Sequence, residues 1–149
     1  MWPIVSLALS LLTAQPPSDA YVEIQCPWMP IFFENGVTEL NEAARHNLDG
    51  PFLWYRHTEG AGDDAFIILR TYSNGEPASD LARLSEARAE AVRTALIARH
   101  VSPGHILISH TFSGEPRYVE NWVGGWIYPE YYLSRAVRDR LFPPGGAVC

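Results

Sequence analysis

The chain has 149 residues (16.7 kDa), of which 47% are hydrophobic and 19% charged. That is enough apolar material for one domain with a core, and too little charge for a disordered polyelectrolyte. The formal charge of −6 and pI near 5.3 argue against a nucleic-acid binder, and all 11 basic residues are arginines, which excludes Schiff-base lysines and Walker-type phosphate loops.

Residues 1–20 read MWPIVSLALSLLTAQPPSDA. The apolar run Ile4 to Leu12 falls well short of the roughly 20 residues that span a bilayer. Small and polar residues follow, with Ala14 and Ala20 as candidate cleavage positions. This pattern reads as a secretory signal peptide, although the n-region lacks Lys and Arg. The expected product is an exported single domain over residues 21–149. Its two cysteines, Cys26 and Cys149, could pair across a long loop in an oxidising compartment or stay independent thiols. Cys26 follows Glu23-Ile24-Gln25, not the small-residue box that precedes a lipid-modified cysteine. No later segment is long and apolar enough to cross a membrane.

Tyr21 to Phe33 is rich in β-branched and aromatic residues and reads as a strand ending at the Asn35-Gly36 turn. Thr38 is the expected N-cap of a short helix, with Leu40, Ala44 and Leu48 on its apolar face and Gly50-Pro51 as its end. Residues 56–64 read as a polar loop. Ala65 to Tyr72 (AFIILRTY) reads as a buried strand, and Ser73 to Pro77 as a turn. Ser79 or Asp80 can cap a long helix from about Leu81 to His100, stopped by Ser102-Pro103-Gly104. Leu84, Ala91, Ala95 and Ala98, or Val92 and Leu96, offer its inner face; the charged residues, Arg88 among them, mainly occupy the rest. His105 to Phe112 is a third strand. A short helix near Pro129 to Ala136 and a last strand near Val137 to Phe142 complete a β-α-β-α-β-α-β order, one sheet covered by helices.

The stretch Thr71-Tyr72-Ser73-Asn74-Gly75, then Asp80, then Leu84-Ser85-Glu86-Ala87-Arg88-Ala89-Glu90-Ala91-Val92 carries most information. Together with Ile31-Phe32-Phe33-Glu34-Asn35-Gly36 and Leu40, it resembles the OmpA-like peptidoglycan-binding domain family over about Tyr21 to Phe142. The resemblance implies an α+β fold with one mixed sheet. It also implies non-covalent binding, in the periplasm, of the diaminopimelate end of a peptidoglycan stem peptide. That ligand carries an ammonium and a carboxylate on one carbon. An arginine suits the carboxylate bidentately, an aspartate suits the ammonium, and no cofactor is needed.

Arg88 stands at the family's helix-arginine position, and Thr71, Tyr72, Ser73 and Asp80 shape the expected pocket. The family's aspartate falls on Tyr72 or Ser73, neither of which is acidic. Glu76 or Asp80 could substitute only if the loop turns a carboxylate inward. Ser134-Arg135-Ala136 stands where the family has Asn-Arg-Arg, so Ser134 and Arg135 are expected to support the pocket from the last helix.

Tyr118, Trp122, Trp126, Tyr128, Tyr131 and Tyr132, with Gly124-Gly125 among them, read either as an aromatic platform or as a loop folded over the sheet. His100, His105 and His110 recur every five residues, a spacing that suits no metal site; Asp63-Asp64 sit in a polar loop. Ser85 or Ser109-His110 could suggest a hydrolase, yet no Gly-x-Ser-x-Gly elbow appears. The expected function is non-enzymatic peptidoglycan binding in the cell envelope, associated with the cell wall or outer membrane. The alternative is the same fold with a decayed ligand site, acting as a periplasmic protein-interaction module through residues 118–132.

Overall fold

Among the described residues, nine strands and α-helices follow one another: β1 (Tyr21–Ile24), β2 (Ile31–Glu34), α1 (Glu42–Asn47), α2 (Asp49–His57), β3 (Ala65–Asn74), α3 (Leu81–Ala98), β4 (Ile106–His110), β5 (Gly124–Ser134) and α4 (Arg135–Leu141). This computed structural model describes residues 20–26, 29–58, 64–110 and 122–142. The expected leader, Asp63, Tyr118 and Cys149, and with Cys149 the question of cysteine pairing, lie outside the described residues. Among those residues, no helix is long and apolar enough to cross a membrane.

The strands make one mixed sheet in the order β1-β5-β3-β4, with β2 pairing β5 on the same side as β1. β3 and β4 are parallel, joined through α3, and every other pairing is antiparallel. The class is α+β with a mixed sheet and helices, as expected, but the element order is not. The expected first strand is two, docked against opposite ends of β5: Ile31 opposes Ile127, and Tyr21 opposes Ser134. Asn41, not Thr38, caps α1, its Oδ1 accepting from the Ala44 N–H at 2.8 Å. Gly50-Pro51 opens α2 instead of ending a helix, because proline is tolerated in a first turn whose N–H groups have no intrahelical acceptor.

The largest correction is at the C-terminal end. Residues 124–134 form the long strand β5, and the helix follows it at Arg135, the reverse of the expected helix-then-strand order. Alternation explains the strand: Trp126, Tyr128, Glu130 and Tyr132 share one face, while Ile127, Tyr131 and Leu133 share the other. Pro129 falls between the β2 partners (124–127) and the β1 partners (131–134), where that side of β5 has no neighbouring strand. Ser134 is the true N-cap, its Oγ accepting from the Val137 N–H.

The main core lies between the sheet and the helices, built from Ile31, Phe33, Ile67, Leu69, Ile127 and Leu133 against Leu48, Trp54, Val92 and Leu96. Burying a side chain such as Leu96 contributes roughly 1.5–3 kcal/mol. The buried residues of α3 are Leu84, Ser85, Arg88, Ala89, Val92 and Leu96. From Ser85 onward they fall at i, i+3, i+4, i+7 and i+11, on one helical stripe. Arg88 therefore belongs to the inner stripe and not to the solvated face. Ala91, Ala95 and Ala98 instead line an open groove beside Thr38, Leu40 and Arg45. On the other face of the sheet Phe66 stacks on Tyr132 at 5.1 Å, and Arg70 pairs with the buried Glu130 at 2.7 Å.

Candidate functional site

The site starts where β2 ends. Val37 N–H donates to Glu34 O at 2.9 Å, closing a turn in which Gly36 has φ +74°, a value that favours glycine. This turn leaves three backbone groups pointing at one place: Glu34 O, Val37 O and Gly36 N–H. Opposite them, α3 presents Arg88, and the loop after β3 presents Glu76.

Arg88 is 2% exposed, and its guanidinium meets Glu76 as a two-pronged fork. Nη1 lies 2.6 Å from Oε1 and Nη2 lies 2.6 Å from Oε2. Nε donates to Val37 O at 2.8 Å, and Nη2 also donates to Glu34 O at 3.2 Å. Glu76 accepts two more hydrogen bonds, from Gly36 N–H at 2.9 Å and from Ser73 Oγ–H at 2.7 Å. The Phe33 ring lies 5.5 Å from Arg88 Cζ, completing the surroundings with a cation–π contact. Both charges are buried, and both are met by an opposite charge and by oriented dipoles.

Burial alone would push the Glu76 carboxyl up. The Arg88 fork, the Gly36 N–H and the Ser73 hydroxyl outweigh it and hold the acid at about 2, down from an ordinary 4.5. Because the folded value lies below the unfolded one, the pair's contribution is complete above about pH 4.5 and is lost as pH falls toward 2. Urea midpoints of wild type and Glu76→Gln should therefore differ most at pH 6 and converge between pH 4.5 and 2. A gap unchanged across that window would contradict this account.

The other expected pocket residues separate. Ser73 is in the site as a donor to Glu76. Thr71 is buried on the same face of β3, its Oγ1 accepting from Ser85 Oγ–H at 2.5 Å and lying 3.3 Å from His110 Nδ1. Tyr72 points to the opposite face, where it stacks on Trp126 at 5.7 Å and 11°. Asp80 ends the turn before α3 and pairs at 3.7 Å with the exposed Arg83. The structure does not bring Ser134 and Arg135 to the site. They lie at the other end of β5 from Gly125, roughly 30 Å away along the strand.

Among its described residues the aromatic segment is not an exposed platform either, because β5 is an inner strand. Trp126, Tyr131 and Tyr132 are buried in it, and Trp122 is fixed through Nε1–H to Phe33 O at 3.2 Å. Glu76 is the residue at the centre of this geometry that the family pattern alone does not assign. Its signal was the lone carboxylate between Gly75 and Pro77, where Gly75 at φ +77° and Pro77 at φ −59° fix the chain's direction.

No protein-family model and no curated protein matches this sequence. Solved structures do. The periplasmic domain of Helicobacter pylori MotB matches at 16% identity and TM-score 0.53, over 83% of this chain and 93% of its own. The OmpA-like domain of FopA1 from Francisella tularensis matches at 12% and 0.54, over 80% and 78%. The peptidoglycan-associated lipoprotein from Burkholderia pseudomallei matches at 14% and 0.52, over 67% and 88%. The chain has the OmpA-like fold.

Proposed function

We propose that this OmpA-like chain is an exported envelope module that binds peptidoglycan without covalent chemistry, taking a stem-peptide carboxylate at Arg88. The observation that carries the reading is the buried Arg88 fork, which already holds a carboxylate through both terminal nitrogens. Ser73 and the Gly36 N–H stand beside it as further donors. The fold supports the reading, since one structural neighbour is described as peptidoglycan-associated and another as a periplasmic domain. Cell-wall association in the periplasm is the location this implies.

A second reading is favoured by the same pair: Glu76 fills the fork, and the module then serves protein contacts with its ligand site closed. Pull-down on purified diaminopimelate-type sacculi at low salt separates the two. Arg88→Lys is the informative variant, because it keeps the buried charge but loses the planar fork. Under the first reading wild type is retained and Arg88→Lys is retained at least about ten-fold less, which corresponds to about 1.4 kcal/mol. Failure of folded wild type to sediment with sacculi would leave the second reading.

A further inference from the structure

The fork of Arg88 is filled from within the chain. Glu76 places both carboxylate oxygens on it, with no exposed side-chain surface, and is tethered between Gly75 and Pro77. Two further N–H groups of the guanidinium are directed at Val37 O and Glu34 O, and the side chain is buried. An outside carboxylate cannot be added to this arrangement. It can only replace Glu76 and inherit the four donors that Glu76 now uses: Arg88 Nη1 and Nη2, Gly36 N–H and Ser73 Oγ–H.

Building on the wall-binding reading, we propose that Glu76 is a tethered competitor that sets which ligands reach Arg88. A group held on a short tether competes at an effective concentration on the order of millimolar or more. A simple monocarboxylate, offering only two oxygens, loses to it. A ligand with further contacts to the module can win, because those contacts offset the displacement of Glu76. The released loop keeps its own anchorage, since Asn74 Nδ2 donates to Trp122 O at 2.8 Å. Displacement thus needs movement at Glu76 and not unfolding of β3.

Removing the tethered carboxylate exposes the receptor. In Glu76→Ala, sodium acetate should raise the urea midpoint in a saturable way relative to sodium chloride at equal ionic strength. Acetate at ten times its dissociation constant multiplies the folding equilibrium about ten-fold. Wild type should respond equally to the two salts. If Glu76→Ala is unfolded in chloride, acetate should restore the folded fraction, measured by near-ultraviolet circular dichroism. Equal midpoints in the two salts, or no restoration, would overturn the proposal, as would a wild-type response as large as the variant's.

Sacculus binding supplies the second arm. Where Glu76→Ala is folded in sodium chloride, it should be retained in that salt at least about ten-fold more strongly than wild type. Equal retention of the two would mean that the wall bypasses the fork, and the competitor role would fail. An acetate response with no retention of either protein would uphold the fork as a carboxylate receptor closed by Glu76 and overturn the wall-binding reading alone.

Discussion

Arg88→Met is expected to lower stability by about 3–5 kcal/mol, the cost typical of breaking a buried ion pair from one side. The substitution keeps most of the side chain's length and removes its charge, so the loss is not chiefly a cavity effect. It leaves Glu76 without the fork while its carboxylate stays buried, with only Gly36 N–H and Ser73 Oγ–H as donors. It also strips Val37 O and Glu34 O of their guanidinium partners, loosening the turn after β2. Adding Glu76→Leu should recover part of the loss, since the lone buried charge is then gone. Urea unfolding of Arg88→Met, Glu76→Leu and the double variant, each against wild type, gives the coupling directly. A loss below about 1 kcal/mol for Arg88→Met would put the pair in the class of solvated surface bridges.

The contrast with Arg99 makes the same point. Arg99 meets Asp49 at 2.8 Å, almost as close, but both side chains are substantially exposed. Burial separates the two cases, and burial is what residue type and spacing convey least. Arg88 was legible as a site residue from the Leu-Ser-x-x-Arg pattern. Its burial was legible only from its spacing to Val92 and Leu96, which places a charge on an apolar stripe. Ser73 and Glu76 could be named as loop neighbours, but which of them turns inward depends on the backbone that Gly75 and Pro77 impose.

The C-terminal third shows why sequence reasoning misled there. Pro129 suggested a helix start, and local chemistry argued for it. Tertiary pairing decided otherwise, because β3 supplies partners for the whole of residues 124–133 and the side facing β1 and β2 has a gap at the proline. Arg135 is expected near the ligand because it matches one arginine of the family's closing Asn-Arg-Arg motif. Once residues 124–134 are strand, the helix that carries it starts at the far end of the sheet. The fold class survived these errors because hydrophobic runs and helix breaks determine the layers, while pairing partners determine the order of elements.

Gly125→Ala is the second large effect, expected at about 2–4 kcal/mol, within the range of severe overpacking. A Cβ on Gly125 would lie 2.2 Å from Arg88 Nη1 and 2.8 Å from Cζ. The end of an arginine usually gives way at little cost by swinging into solvent. Here it is held by Glu76, Val37 O, Glu34 O and the Phe33 ring, so yielding means giving up the buried fork. The prediction is therefore strongly non-additive: in an Arg88→Met background, Gly125→Ala should cost less than about 1 kcal/mol, because the fork is already lost. Gly124→Ala should behave differently. Its Cβ would lie 2.4 Å from the Phe33 backbone oxygen, and its φ of +139° is one that other residues rarely adopt. Its cost should persist in the Arg88→Met background. Gly104→Ala, with nothing within 4 Å, should leave the urea midpoint nearly unchanged. If Gly125→Ala kept its full cost without Arg88, the glycine would be required by the β5 backbone and not by the guanidinium packed against it.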